Sequence, residues 1–434
     1  MIARCATTLV LLLAALPAQD PITAFVGARV LPVAGPAIDD GVLVVEGRAI
    51  RAVGSRGDVA IPEGATVHEL NGKVLIPGLV CTHSHIGGAS GADRSGPIQP
   101  DCRVYDSLDV HDPGFMKARA GGLTTVNVMP GSGHLLSGQT LYVKLRRGDT
   151  VDELCYRWPD DAPMGGMKMA NGTNSIRQPP FPGTRGKSAA LMRAMLIKAQ
   201  RYAEKIAAAG DDESKRPERD LGLEALGEVL SGRRIVHHHT HRHDDILTVL
   251  RIADEFGFRV VLHHVSEAWK VADEIARAEV PCSLILIDSP GGKLETLDIQ
   301  FDNGRVLEEA GAKVALHTDD GITDSRIFLR MGGLAVRAGM SRDGALRALT
   351  LSGAEMLDLQ DRVGSLEPGK DADFAVLSGD PFSVWTRVEQ TWVEGRLVFD
   401  LSNPEDRVFA EGGPDASRGQ NFHLCCTGEA GGGQ

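Results

Sequence analysis

The chain lacks several features that mark common classes of non-enzymatic protein. Aromatic residues make up 5% of its 434 residues, no long run of Lys and Arg occurs, and the formal net charge is -12. Nucleic acids and anionic membranes attract clustered cations, so neither is expected as a partner. The cysteines show no Cys-x-x-Cys spacing, which argues against a zinc knuckle. With 42% hydrophobic residues, the composition is that of a globular protein with a substantial core.

Long hydrophobic runs are also missing, except near the start of the chain. Arg4 precedes an apolar stretch from Cys5 to Leu16, and Pro17-Ala18-Gln19 follows it. This layout is typical of a secretory signal peptide cleaved after Ala18, and the stretch is shorter than the roughly 20 residues that a membrane-spanning helix needs. We therefore expect residues 1–18 to be a signal peptide and the protein to be exported, to a periplasm or the exterior. Isolated disulfide bonds are left open there.

The remaining sequence divides into β-rich ends and a mixed middle. Short β-type runs broken by Gly, Pro and Asp occupy residues 22–72 and 360–400, which predicts a small β-sandwich domain built from both ends. Between them, residues 73–359 alternate apolar strands with helical patterns, which predicts an α/β domain, a (β/α)8 TIM barrel. Residues 87–113 and 171–187 are predicted to be long loops over a pocket, and residues 411–434 a flexible tail.

Two histidines close the first predicted strand of the middle region. His83 and His85 follow an apolar run that begins at Pro77. Residues two apart in a strand point to the same face, so both imidazoles can reach one metal ion. A lone His-x-His is common by chance, and further ligands at other strand ends are needed to support a metal site.

Other predicted strands end in the same kinds of residue. His239 lies in a run of histidines after one strand, and His264 ends the next, adjacent to His263. Side chains alternate along a strand, so we expect one of this adjacent pair to be a ligand and the other to face away. Asp319 follows a later strand and shares a face with His317, which we expect to lie deeper. Barrel interiors are normally filled by branched aliphatic residues, so this set predicts a metal site.

Several longer motifs give these residues a context. These motifs are Pro77-Gly78-Leu79 leading to His83-Ser84-His85, His239-Thr240-His241-Arg242-His243-Asp244-Asp245-Ile246, His264-Val265-Ser266-Glu267, Thr318-Asp319-Asp320, and Val363-Gly364-Ser365-Leu366-Glu367-Pro368-Gly369-Lys370-Asp371-Ala372-Asp373. In these motifs the chain resembles the amidohydrolase superfamily, specifically its imidazolonepropionase-like branch of exported metal-dependent hydrolases, over roughly residues 22 to 400.

The resemblance implies a ligand set around one or two divalent ions, with Zn2+ favoured: His83, His85, His239, His264 and Asp319. Residues 166–174 resemble a family run of the form Lys-x-Ala-x-Gly-Glu-Asn, which makes Lys168 the candidate for a carboxylated bridging ligand. Thr173 stands where that run has Glu, and Cys81 stands where the first-strand motif often has Asp. Segments 130–139 and 184–186 also resemble the family and are expected to lie on loops, where they either contact substrate or shape the loop.

The expected chemistry is hydrolysis. A bound divalent ion lowers the pKa of water from about 16 to about 7, which supplies hydroxide near neutral pH. We expect Asp319, with His264 beside it, to act in catalysis, Asp319 moving the proton from water to the leaving nitrogen of an amide-type C–N bond in a small molecule. The alternatives are a heterocycle deaminase and a metal-binding barrel without turnover. Homo-oligomerisation is left open.

Overall fold

The computed structural model describes residues 20–88, 93, 95–286 and 293–418. The predicted signal peptide lies outside the described residues. The strands are β1 (Ile22–Val30), β2 (Ile38–Glu46), β3 (Ala49–Ser55), β4 (Thr66–Glu69), β5 (Val74–Pro77), β6 (Leu79–Ser84), β7 (Leu123–Val128), β8 (Leu136–Gln139), β9 (Leu141–Lys144), β10 (Met167–Ala170), β11 (Val236–Thr240), β12 (Val260–His264), β13 (Cys282–Leu284), β14 (Val314–Leu316), β15 (Phe374–Leu377), β16 (Val388–Val393) and β17 (Arg396–Asp400).

The α-helices lie mainly between the strands of the middle region. They are α1 (Pro113–Ala120), α2 (Val151–Leu154), α3 (Arg185–Ala209), α4 (Leu221–Leu230), α5 (His243–Phe256), α6 (Ala272–Arg277), α7 (Asn303–Glu309), α8 (Phe328–Arg337), α9 (Arg342–Leu349), α10 (Leu351–Glu355) and α11 (Pro404–Glu411). Short 3-10 helices complete several loops.

Both ends of the chain contribute to one β-sheet, as the sequence predicts. Its order is β17-β16-β15-β5-β1-β2-β3, and β4 also pairs with β1. All eight strands are hydrogen-bonded in one sheet, because β1 bonds β2 on one edge and both β4 and β5 on the other. The β-sandwich stays a prediction. Alternate residues of β1 enter different apolar clusters, Phe25 in one and Ala24 and Val26 in the other. This period-two burial explains the sequence pattern of the strand.

The middle of the chain is α/β, and its strands form two further sheets. One has the order β14-β13-β12-β11-β10-β8 and the other β6-β7-β9. No ladder of hydrogen bonds joins them in the part of the chain that is described, so a closed barrel is not observed there. The two sheets adjoin at both edges. At one edge, only Thr140 separates β8 of the first sheet from β9 of the second. At the other edge, the amide of Asp319, after β14, donates to the carbonyl of His83 in β6 at 3.0 Å. Strand ends from both sheets therefore meet.

Two strands of the middle region, β8 and β9, are antiparallel to their neighbours, whereas the sequence predicts a parallel sheet there. β8 and β9, separated by Thr140, run antiparallel to β10 and β7 respectively. Gly138 and Gln139 were expected on a loop, but they form the end of β8. Gly138 has a φ of 124° and a Cβ there would lie 2.5 Å from the carbonyl oxygen of Cys102, so only glycine admits this close approach.

The C-terminal residues of the described chain pack against α1. Residues 414–417, placed by the sequence in a flexible tail, form a 3-10 helix in which Ala416 is buried and the Ser417 hydroxyl accepts from Lys117 at 2.7 Å.

Within the described ranges, no helix combines the length and the hydropathy needed to cross a bilayer. Cys81, Cys102, Cys155 and Cys282 are free thiols.

Candidate metal centre

The first-strand histidines and Asp319 converge at the ends of β6 and β14. The Nε2 atoms of His83 and His85 are 3.2 Å apart. Asp319 Oδ1 lies 3.2 Å from His83 Nε2 and 3.0 Å from His85 Nε2. All three side chains are buried. Two imidazole nitrogens and a carboxylate oxygen therefore face one point, as strand alternation predicts for residues 83 and 85.

The tautomer of His85 follows from its other nitrogen. His85 Nδ1 lies 2.8 Å from the carbonyl oxygen of Met129, which only accepts, so Nδ1 carries the hydrogen. In the neutral imidazole, Nε2 then presents a lone pair toward Asp319 Oδ1 and His83 Nε2. Facing acceptors at about 3 Å repel one another unless a proton or a cation lies between them. This contact favours a metal ion at the centre.

Two more predicted ligands reach the same point. His264 Nδ1 is 3.9 Å from Asp319 Oδ2, and His83, His264 and Asp319 form a cluster whose ligand atoms all lie within 4.8 Å of one another. Lys168 Nζ, on β10, lies 3.2 Å from His83 Nε2 and 3.0 Å from the sulfur of Met129. Lys168 is fully buried. The structure thus brings Lys168 into contact with His83, one of the predicted ligands.

His239 lies at the side of this cluster. Its ring centroid is 4.2 Å from that of His264 and 4.6 Å from that of His241. Both nitrogens of His239 and the Nε2 atoms of His241 and His264 are buried without a hydrogen-bond partner among the described residues. Buried polar atoms normally have partners, and imidazole nitrogens are good ligands for divalent transition metals. The side chains present therefore fit a metal ion of the Zn2+ type.

The prediction that one member of the His263–His264 pair faces away from the cluster is wrong. The ring of His83 lies 5.1 Å from that of His263 and 4.9 Å from that of His264. The cause is the backbone, because His264 has a φ of 71° and Val265 a φ of 41°, both in the left-handed region. This turn interrupts the alternation of the strand. Such strained residues concentrate at functional sites.

A deeper layer of imidazoles supports the cluster. His263 Nε2 lies 3.0 Å from His237 Nδ1, and His237 Nε2 lies 3.0 Å from the hydroxyl of Tyr142. His317, predicted to lie deeper than Asp319, contacts His264 Nδ1 through its Nε2 at 3.2 Å. His83, His263 and His317 form a second group with ligand atoms within 4.8 Å.

The carboxylate next to Asp319 has a different role. Asp320 accepts hydrogen bonds from the hydroxyls of Ser84 at 2.7 Å, Thr318 at 2.6 Å and Ser325 at 2.6 Å. It ties the loop after β14 to the end of β6. Asp319 has a φ of 51°, and these bonds hold the strained turn that directs its carboxylate to the histidines.

Burial governs the charge state of the cluster. Burial raises the pKa of Asp319, but the neighbouring side chains of His85, His317 and Lys168 lower it to below its usual range, so the carboxylate is ionised at neutral pH. Burial is the main cause that lowers the pKa values of His83, His239 and His264 well below the usual range, so these imidazoles are neutral. Neutral imidazoles and an ionised carboxylate are the forms that bind a metal cation.

Thr173, which stands where the family run has Glu, contacts a carboxylate from another loop. The carboxylate of Glu295, which is buried, accepts from the amide and the hydroxyl of Thr173, each at 2.8 Å. It also accepts from the guanidinium of Arg185. Arg185 in turn donates to Asp245 at 2.8 Å. The start of α3 is thus joined to α5 and to the loop that carries Glu295.

Comparison with known proteins agrees with this geometry. A family model described as the amidohydrolase family matches residues 268–399. Amidohydrolase tasK of Hapsidospora irregularis is 28% identical over 385 residues, which cover 80% of this chain and 39% of that protein. The chain thus spans well under half the length of this relative. Imidazolonepropionase of Deinococcus radiodurans is 28% identical over 383 residues, which cover 82% of this chain and 88% of that protein.

A solved structure gives a fuller match. The crystal structure of an amidohydrolase from Thermotoga maritima has a TM-score of 0.81 and 33% identity, and the match covers 87% of this chain and all of that one, 100%. Members of this superfamily use divalent metals, and the His/Asp cluster described above could hold one. The chain belongs to the amidohydrolase superfamily, in its imidazolonepropionase-like branch.

Proposed function

We propose that this protein is a metal-dependent amidohydrolase that hydrolyses an amide-type C–N bond in a small molecule, such as a cyclic amide or a peptide-like compound. The observation that carries the proposal is the convergence of His83 Nε2, His85 Nε2 and Asp319 Oδ1 within 3.0 to 3.2 Å. We further propose that these residues lie in a (β/α)8-type barrel in which β8 and β9 run antiparallel to their neighbours β10 and β7.

The residues that would hold the metal are those at the strand ends: His83, His85, His239, His264 and Asp319, with Lys168 as a carboxylated bridge if two ions bind. A bound divalent ion supplies a Lewis acid that polarises a carbonyl group and lowers the pKa of water. Met129 fixes the tautomer of His85, and His317 contacts Nδ1 of His264, so the orientation of both imidazoles is set before substrate binds.

Asp319 is the residue that moves the proton. Its carboxylate is ionised and held in place by its strained turn and by the contacts of its loop. It accepts a proton from the attacking water and returns it to the nitrogen of the leaving amine as the C–N bond breaks. The products are a carboxylate and an amine, which balances the addition of one water molecule across the bond.

The test starts with the metal. Protein purified without chelator should contain at least about one equivalent of a divalent transition metal by elemental analysis. A content clearly below one equivalent that added Zn2+ does not restore would contradict the proposal. The metal-loaded protein is then screened against cyclic amides, N-acylated amino acids, dipeptides and amino-substituted heterocycles. Release of ammonia from a heterocycle, without cleavage of any amide, would identify a deaminase.

The Asp319→Asn variant separates catalysis from metal binding. We expect its kcat to fall by about 10^2- to 10^4-fold while its metal content is retained, because the amide cannot accept the proton. Asp254→Asn, at an exposed position on α5, is the matched control and should keep wild-type kcat. Unchanged turnover by Asp319→Asn would exclude Asp319 as the proton carrier, and absence of turnover by the wild type on every substrate would favour a metal-binding protein.

A further inference from the structure

A cavity of about 450 Å³ lies between α3, α5 and the outer face of β11. Side chains alternate along a strand, so His238, which lines the cavity, points away from the face on which His237 and His239 lie. The cavity is therefore on the opposite side of β11 from the metal centre. Its volume is within the range of small-molecule sites, about 300 to 1,000 Å³.

His238 brings an unsatisfied acceptor to this cavity. It is 7% exposed, and its Nδ1 lies 3.0 Å from the carbonyl oxygen of His239, which only accepts, so Nδ1 carries the hydrogen. In the neutral imidazole Nε2 then has a lone pair, and no donor in the described ranges bonds to it. Buried polar atoms normally have partners, so a donor for Nε2 has to come from a molecule in the cavity.

Asn171, directly after β10, adds a second acceptor at the same cavity. Its Nδ2 donates to the carbonyl oxygen of Asp245 at 3.1 Å, which fixes the orientation of the side-chain amide. Its Oδ1 is buried and has no hydrogen-bond partner among the residues that the structure describes. The two acceptors together require a ligand that donates two hydrogens.

Arg185 supplies a donor to the cavity. Its Nε donates to Asp245 at 2.8 Å and its Nη2 to Glu295, while Nη1 has no partner in the described part of the chain. Because the guanidinium already pairs with two carboxylates, it leaves no excess positive charge to attract an anion. A neutral acceptor therefore suits Nη1. Aliphatic side chains of α3 and α5, among them Met192 and Leu247, complete the wall.

We propose that this cavity binds an aliphatic primary carboxamide, whose NH2 group donates to His238 Nε2 and Asn171 Oδ1 and whose carbonyl oxygen accepts from Arg185. A carboxamide matches the wall because one nitrogen carries both donors and the adjacent oxygen accepts. The apolar side chains accommodate its hydrocarbon part. This site is separate from the metal centre and goes beyond the proposed hydrolysis.

The experiment compares small probes of nearly the same shape. Isobutyramide, 3-methylbutan-2-one, isobutyrate and isobutylammonium are titrated into the metal-loaded protein, and saturation-transfer NMR gives each Kd. The ketone keeps the carbonyl group and has a methyl group in place of NH2. We expect isobutyramide to bind about 3- to 10-fold more tightly than the ketone, because the ketone leaves both buried acceptors unpaired. Both charged probes should bind more weakly than the amide.

Three variants locate the binding. His238→Asn can keep the bond to the carbonyl of His239 but lacks Nε2, so the Kd for isobutyramide should rise about 3- to 10-fold while that for the ketone does not move. Ala189→Leu fills the cavity from α3 and should abolish binding of both probes. Ala190→Leu, the same change at the exposed neighbouring position, should bind as the wild type does.

The outcomes separate the possible errors. Equal Kd values for isobutyramide and the ketone, or amide binding that Ala189→Leu leaves intact, would overturn the site. Tighter binding of isobutylammonium or isobutyrate would overturn the carboxamide assignment. No saturable binding of any probe would show that the cavity holds only water. The same spectra report whether isobutyramide is hydrolysed, which bears on the proposed function alone.

Discussion

At the scale of single residues, burial sets the protonation state of the histidines. Burial is the main cause that lowers the pKa values of His237 and His238 to about 3, and the charge of Lys168 acts in the same direction. Unfolded imidazoles titrate near pH 6.5. Between about pH 6.5 and pH 3 the unfolded chain therefore binds more protons than the folded one. The stability that neutral imidazoles contribute is complete above the unfolded pKa and is lost as the pH falls through this window.

This loss of stability at lower pH gives a prediction for His238, which belongs to neither ligand cluster. Each buried imidazole should steepen the loss of unfolding free energy by about 1.4 kcal/mol per pH unit below the unfolded pKa. His238→Asn cannot titrate, and its side-chain amide can replace the hydrogen bond from Nδ1 to the carbonyl of His239. Urea unfolding of chelator-treated protein between about pH 7 and pH 5.5 should show a shallower slope for this variant. His111→Asn, at an exposed position, is the control, and equal slopes in all three proteins would show that burial of His238 does not matter.

Residue-level prediction worked where strand alternation holds. It placed His83 and His85 on one face, and the structure brings both to Asp319. It failed at His263 and His264, since a left-handed φ at residue 264 depends on the tertiary turn and has no signal in a strand pattern. The contact between Glu295 and Thr173 was also not predictable, because Glu295 lies on a loop more than a hundred residues from Thr173 in the sequence.

At the scale of elements, the junction between β5 and β6 requires glycine. Gly78 separates Pro77 and Leu79, and a Cβ there would lie 2.2 Å from Thr124 Oγ1 and 2.8 Å from Thr124 Cβ. The backbone of the strand that leads to His83 thus passes directly against β7. The Pro-Gly-Leu motif, used above as a family signature, has a packing cause at this position.

We expect Gly78→Ala to destabilise the protein by about 1 to 3 kcal/mol, because overpacking must displace the Thr124 side chain or β6. Gly227→Ala in α4 is the control. Among the described residues, no atom outside the backbone of its own helix lies within 4 Å of the added Cβ, so the change should be neutral or stabilising by up to about 1 kcal/mol. Urea midpoints measure both effects. Metal content of Gly78→Ala reports whether β6 has shifted at its histidines, and wild-type stability in this variant would disprove the steric account.

The type of most elements followed from the sequence, but their connections did not. Helical sequence patterns over residues 188–209 and 245–256 predict two helices, and the observed α3 and α5 begin three and two residues earlier. The sequence also predicts a helix over residues 342–357. It is divided at Thr350 into α9 and α10, because Thr350 has a φ of -134° and a ψ of -94°. The antiparallel β8 and β9 were missed, since their pairing is set by non-local hydrogen bonds to β7 and β10.

At the scale of the whole molecule, one buried ion pair connects the terminal sheet to the sheet of the metal centre. Lys144, at the end of β9, is fully buried and donates to Asp371 Oδ2 at 2.6 Å and Asp373 Oδ2 at 2.8 Å. Burial lowers the pKa of Lys144, but the charges of the two carboxylates raise it above the usual value, so the ammonium is retained. The Asp-Ala-Asp end of the family motif at residues 363–373 thus joins these two sheets.

The last prediction tests that connection. Lys144→Met removes the cation and leaves the buried carboxylate of Asp373 without its ion-pair partner, whereas Asp371 keeps Arg362 at 2.9 Å. We therefore expect a loss of about 3 to 5 kcal/mol in unfolding free energy. Lys73→Met is the matched control, because Lys73 also pairs with a carboxylate, Glu389 at 2.7 Å, but its side chain is 35% exposed. Its loss should be about 0 to 1 kcal/mol.

A second variant shows whether the cost comes from the unpaired charge or from lost packing. Adding Asp373→Asn to Lys144→Met removes the more deeply buried carboxylate, whose side chain is 2% exposed. Part of the lost stability should return in urea unfolding, since the desolvation cost of that charge is gone. If Lys144→Met costs no more than Lys73→Met, the ion pair does not hold the sheets together, and their association rests on the apolar contacts around β5 and β15.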